Sequence, residues 1–98
     1  MTIKQVQVSC NAQGSPVVNI PDVTLWSPDG DQMQWLGNGP YEVHFPSGTP
    51  FANSSFNCPA GSSTPLSSGP IQQGATGVYK YNVRIGTKVL DPRVTVSP

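Results

Sequence analysis

Few residues in this chain can do chemistry. It has one histidine, His44, two cysteines, Cys10 and Cys58, and five carboxylates, Asp22, Asp29, Asp31, Glu42 and Asp91. His44 next to one of the eleven serines would make a nucleophile–base pair. No serine, however, stands in a Gly-x-Ser-x-Gly elbow, the strained turn that presents such a nucleophile. Asp29 and Asp31 flank a turn glycine and read as turn formers, not as an acid–base pair. Cys10 and Cys58 lack a histidine or cysteine at ligand spacing, so a zinc site is excluded. They either close one disulfide or remain two small apolar side chains. The expectation is a protein that is not an enzyme and that holds no cofactor.

Composition limits what could position these residues. A chain of 98 residues makes one domain, 1–98. Eleven prolines and ten glycines disfavour long helices, while the aromatics and many valines supply a core. No apolar run is long enough for a transmembrane helix. Five basic residues balance five acidic ones, which argues against a nucleic-acid partner. The last 19 residues are nonetheless net +3, through Lys80, Arg84, Lys88 and Arg93 against Asp91. That excess reads as a solvated strand face, with a docking patch for an acidic partner as the alternative. The amino terminus has no signal-peptide pattern. The chain is therefore expected to be cytoplasmic if Met1 is native, and periplasmic or secreted if it is a processed form.

Alternation predicts the strands. Val6, Val8 and Cys10 share one face of Ile3–Cys10, opposite Gln5, Gln7 and Ser9. Short apolar runs follow at Val17–Ile20 and Val23–Leu25, then a type I turn at Ser27-Pro28-Asp29-Gly30. Met33 and Trp35 face inward in the next strand. Tyr41, Val43 and Phe45 do so in the one after, with Glu42 and His44 on the opposite side. Residues 46–77 contain 17 Pro, Gly or Ser in 32 positions and no charge. They read as a long connection, pinned by Phe51, Phe56, Leu66 and Ile71, in which a short helix or one weak strand is hidden. Tyr79, Tyr81, Val83 and Ile85 alternate with Lys80, Asn82 and Arg84, and Arg93–Val96 closes the chain. Seven to eight short strands predict an all-β, two-sheet Greek-key sandwich.

Three stretches together resemble the cupredoxin family. Gly30-Asp31-Gln32-Met33-Gln34-Trp35 is similar to its Gly-Asp-x-apolar-x-Trp strand. Asn38-Gly39-Pro40-Tyr41-Glu42-Val43-His44-Phe45 is similar to its Asn-x-x-Pro-His-x-apolar-x-Phe strand. Gly77-Val78-Tyr79-Lys80-Tyr81-Asn82-Val83 is close to its Gly-x-Tyr-x-Tyr-x-Cys strand, and Asp91–Val96 resembles the closing strand. The resemblance spans residues 20–96 and implies a cupredoxin-like fold. It also implies where a type 1 copper, held by two histidines, a cysteine and a weak axial ligand, would sit. Tyr41 stands at the first histidine position, Val83 at the cysteine and Gly86 at the second histidine, with Leu90 and Asp91 near the axial ligand. No ligand type is retained at any of them.

The resemblance therefore implies a copper-free domain acting as a binding, structural or assembly module, with a protein partner or self-association. Tyr41 and Val83 are expected to fill the former metal site as core, with a small-ligand pocket as the alternative. A carbohydrate- or small-ligand-binding module is the competing reading, using Tyr41 or the surface aromatic Trp26. Trp26 is itself expected beneath the 46–77 connection, with an exposed contact residue as the alternative. Electron transfer is disfavoured by the missing ligands, and His44 is expected to be a surface strand residue.

Overall fold

The computed structural model describes residues 2–98. Eleven strands follow one another: β1 (Ile3–Cys10), β2 (Pro16–Val18), β3 (Asp22–Trp26), β4 (Gln32–Leu36), β5 (Tyr41–His44), β6 (Ser55–Cys58), β7 (Leu66–Ser67), β8 (Gly77–Lys80), β9 (Asn82–Ile85), β10 (Lys88–Leu90) and β11 (Arg93–Ser97). They form sheets ordered β2-β1-β4-β7, β10-β9-β5-β6 and β3-β11-β8. β1 runs parallel to β4, and β3 parallel to β11. No helix among the described residues is long and apolar enough to cross a membrane.

The last two sheets run into one another. Lys80 is level with Arg93, and Val83 with Leu90, so one register holds through both hairpin arms. At the junction the Tyr81 N–H donates to the Pro92 carbonyl, 3.0 Å. Pro92 has no N–H to return, and the continuous strand read from Val78 to Ile85 breaks there into β8 and β9. The result is a two-layer sandwich whose apolar residues meet between the layers. Val6, Leu25, Met33, Trp35, Val43, Phe51, Tyr81, Val83 and Val94 have no exposed surface.

Several local expectations need correction. Cys10 is exposed, although it shares a strand phase with Val6 and Val8. β1 leaves its partner β4 at Gln7, so Cys10 lies past the covered part of the sheet, paired only with Pro16. The turn expected at Ser27–Gly30 is present as a single 3-10 turn, closed by the Gly30 N–H on the Ser27 carbonyl, with Gly30 in the left-handed region at φ 64°. The 46–77 connection contributes two strands, β6 and β7, rather than one or a helix. Phe51 is fully buried in it, with Phe56, Leu66 and Ile71 packed against the core.

Asp31 ties the strand ends together. It is 1% exposed, its Oδ1 accepts the Thr2 N–H at 3.0 Å, and its Oδ2 accepts the Trp26 N–H at 3.1 Å. The Trp26 hydrogen bond, opposed by burial and aided by Thr2 and Lys4, holds its carboxyl below the usual carboxylate range. The folded pKa is thus below the unfolded one. The stabilisation is complete above the unfolded value of about 3.9 and is lost as pH falls below it. Asp31→Asn leaves one of the two N–H groups without a full partner. It is expected to cost about 1–3 kcal/mol near neutrality and to flatten the acid limb of a stability-versus-pH curve measured by denaturant titration.

Candidate functional site

The candidate site is the end of the sandwich where β5 and β9 pair. Register sets Val43 opposite Val83 and Glu42 opposite Arg84, and Tyr41 faces Cys58 on β6. Tyr41 and Val83 are therefore diagonal neighbours on the inner face, about 7–8 Å apart. Entry to β5 is fixed by a close approach. The Gly39 N–H donates to the Ser62 carbonyl at 2.8 Å, and a Cβ on Gly39 would run into the Pro59 carbonyl oxygen. The Gly39–Pro40 bond is cis. Gly86 turns β9 into β10 at φ 61°, a conformation glycine adopts without strain.

Tyr41 and Val83 are core residues, 2% and 0% exposed. The Tyr41 hydroxyl donates to the Trp35 carbonyl oxygen, 3.3 Å. Burial, and then the neighbouring Cys58, push the Tyr41 pKa up to about 12. The Cys58 thiol donates to the Ser62 carbonyl, 3.5 Å. Cys10 and Cys58 are both free, one exposed and one buried, so the disulfide alternative is not realised.

The structure brings Tyr41, Val83 and Gly86 to one end, but not Asp91. Leu90, opposite Val83, is the inward neighbour. Asp91 is exposed and one step farther from the turn, level with Asn82. That is four residues along the hairpin from Gly86, or about 13 Å. Among the described residues no three of His, Cys, Asp and Glu converge anywhere.

Outside the sealed residues lies a cleft of about 300 Å³, lined by Pro40, Tyr41, Glu42, Asn57, Arg84 and Gly86. It presents a carboxylate, a guanidinium and an amide on neighbouring strands. Glu42 and Arg84 approach to 3.7 Å, an exposed pair that orients more than it stabilises. One row farther along the same face, His44 Nδ1 and Ser55 Oγ lie 2.8 Å apart. His44 is on the opposite side of β5 from Tyr41, as alternation requires. Sequence reasoning did not assemble Glu42, Asn57 and Arg84, because only strand register joins three residues so far apart in the chain. Trp26 is 50% exposed and not core. It keeps the outward phase of Asp22 and Thr24 and sits opposite Ser97 rather than under the 46–77 connection.

With this geometry in place, comparison with solved structures gives the class. The structure of a pseudoazurin from Sinorhizobium meliltoi matches with a TM-score of 0.59 at 14% identity, covering 100% of this chain and 76% of that one. No protein-family model matches the chain, and no curated protein does. The fold is cupredoxin-like: an all-β sandwich with the strand order described above.

The core beside the site contains two buried polar atoms without a hydrogen-bond partner, Trp35 Nε1 and the Tyr81 hydroxyl. Burial pushes the Tyr81 pKa up to about 12. The phenol is neutral in the fold, while an unfolded tyrosine ionises near pH 10. This contribution to stability is therefore complete below about pH 10 and is lost as pH rises from there toward the folded value. Tyr81→Phe removes a hydroxyl that has no partner. It should change stability by less than about 1 kcal/mol at neutral pH and retain more stability than the wild type at alkaline pH, both read by denaturant unfolding. Val83→Asp should instead cost several kcal/mol by placing a carboxylate between the sheets. Lys80→Asp, on an exposed position, should cost within about 0.5 kcal/mol; melting temperatures separate the two.

Proposed function

We propose that this chain is a non-enzymatic, copper-free domain of cupredoxin-like fold that works as a binding or assembly module. The observation that carries the reading is the closure of the end where a type 1 copper would be held. Such a centre needs two imidazoles and a thiolate in one plane. Here a phenol already bonded to the Trp35 carbonyl and a fully buried valine occupy two diagonal inner positions, and glycine turns the next loop. Cys58 lies on the neighbouring strand β6, Cys10 lies on β1 beside Asn38 and Ile85, and the lone His44 faces the other way. The donor set does not fit the metal.

Tyr41 and Gly86 also border the outer cleft, so the end that is closed to a metal still offers a rim. Glu42, Arg84 and Asn57 suit a small polar ligand or a polar side chain of a partner, by hydrogen bonds and charge. Non-enzymatic action is supported by the setting of the His44–Ser55 pair. It lies on an open strand face, and among the described residues no carboxylate is bonded to the imidazole.

Cu(II) titration followed in the visible range tests this. The expected result is no intense thiolate-to-copper absorption at any ratio. An intense blue-copper band would overturn the reading. Weak absorption from adventitious binding at His44 lacks the thiolate and would be lost in His44→Gln.

A further inference from the structure

The sheet β3-β11-β8 ends in an open edge, because β3 is paired with β11 alone. In a strand, one residue's N–H and C=O point to the same side and those of successive residues alternate. The odd positions serve β11: the Pro21 carbonyl accepts the Arg93 N–H at 2.9 Å. The even positions face away. Trp26 is already capped there, its N–H on Asp31 Oδ2 at 3.1 Å and its carbonyl taking the Asp31 N–H at 3.4 Å. Asp22 and Thr24 point the same way, and among the described residues their backbone groups have no hydrogen-bond partner.

The other edges are managed. β2 is three residues long, starts at Pro16 and lies against β9 and β10. β6 lies against β7. β8, separated from the loop at Ser47 and Gly48 by a cleft, carries Lys80, a residue that blunts strand edges. β3 has none of the usual blocking devices, neither proline nor lysine nor a bulge. Its one charge, Asp22, is engaged within the chain by Arg93 Nε at 3.2 Å and by Thr95 Oγ1 at 3.4 Å. Two of the large apolar residues left in solvent, Trp26 at 50% and Ile20 at 39%, belong to or adjoin this strand.

We propose that this edge is a self-association surface, on which β3 pairs antiparallel with β3 of a second copy about a twofold axis at Val23. The axis follows from the free groups. With Val23 on it, Asp22 of each copy stands opposite Thr24 of the other, and four unused backbone groups per copy are satisfied. Trp26 then comes level with Ile20 across the axis, twice per dimer. An axis at Thr24 would set Asp22 against the capped Trp26 and waste its bonds. The contact is isologous and closes on itself. It is small beside the roughly 800 Å² per partner of a standard interface, so the dimer is weak and reversible. This inference does not depend on the absence of copper, and a copper titration leaves it untouched.

Sedimentation velocity on the full chain from micromolar to millimolar concentration tests it, with amide hydrogen exchange on the same samples. A concentration-dependent dimer is expected, with the Asp22 and Thr24 amides protected more as concentration rises. Thr24→Glu sets a carboxylate beside Asp22 across the axis and should abolish the dimer at an unchanged melting temperature. Trp26→Ala should weaken it at least about tenfold, since two apolar contacts are lost. A wild-type chain monomeric at millimolar concentration overturns the proposal, and so does a dimer unaffected by Thr24→Glu. If Thr24→Glu does not fold, concentration-independent exchange at Asp22 and Thr24 in the wild type overturns it equally.

Discussion

The packing of Trp35 between the two layers is the interaction on which the rest depends. Its indole centroid lies 5.2 Å from Phe56 and 5.7 Å from Tyr81, and meets Phe45 edge-on at 6.4 Å. Those partners come from the second layer or its extensions, whereas Trp35 belongs to β4 in the first. One side chain thus couples both sheets and the start of the 46–77 connection, with aromatic contacts worth about 0.5–1.5 kcal/mol each beyond their buried area. Its backbone does a second job, since its carbonyl oxygen is the acceptor that settles the Tyr41 hydroxyl. The indole nitrogen obtains no partner in return. Dense aromatic packing and complete polar satisfaction compete here, and packing wins at the cost of one unbonded N–H.

Much of the fold was legible because alternation is a local property. Met33 and Trp35 inward, Tyr41 and Val43 inward, and Glu42 and His44 outward all follow from period two. What sequence could not show was register and end effects. Cys10 keeps the inward phase yet is exposed, because exposure depends on where the neighbouring strand stops. Trp26 was expected beneath the 46–77 connection, and its outward phase, the stated alternative, proved the stronger constraint. β6 stayed hidden in a stretch rich in Pro, Gly and Ser. Its four residues become a strand by pairing with β5, not by propensity.

The site shows the same division. The motifs that resemble cupredoxin strands located Tyr41, Val83 and Gly86 at one end, and register brings them there. Asp91 was placed by its order along the chain. The β9–β10 hairpin carries it away from Gly86, because antiparallel strands return toward their starting level one residue at a time. The polar cleft was invisible from sequence for the opposite reason. Glu42, Asn57 and Arg84 each look like ordinary outward strand residues, and only the β6-β5-β9 order makes them neighbours.

A metal centre at the end of a sandwich supplies bonds that tie neighbouring strands together. On the copper-free reading, those ties must come from elsewhere, and the chain offers two kinds. Inside, the Tyr41–Trp35 hydrogen bond and the Val43–Val83 pair join β4, β5 and β9 without any buried charge. Outside, Glu42 bridges toward Arg84 at 3.7 Å, a tie that is exposed and screened by salt. The inner set is the stronger because it needs no ion to be desolvated. Such a replacement also frees the polar residues from any structural duty: with the inner face self-sufficient, Glu42, Arg84 and Asn57 can exchange partners with little loss of stability. An exposed pair of this kind releases its contacts at low cost, so the strand order is held by the inner face and not by the outer one.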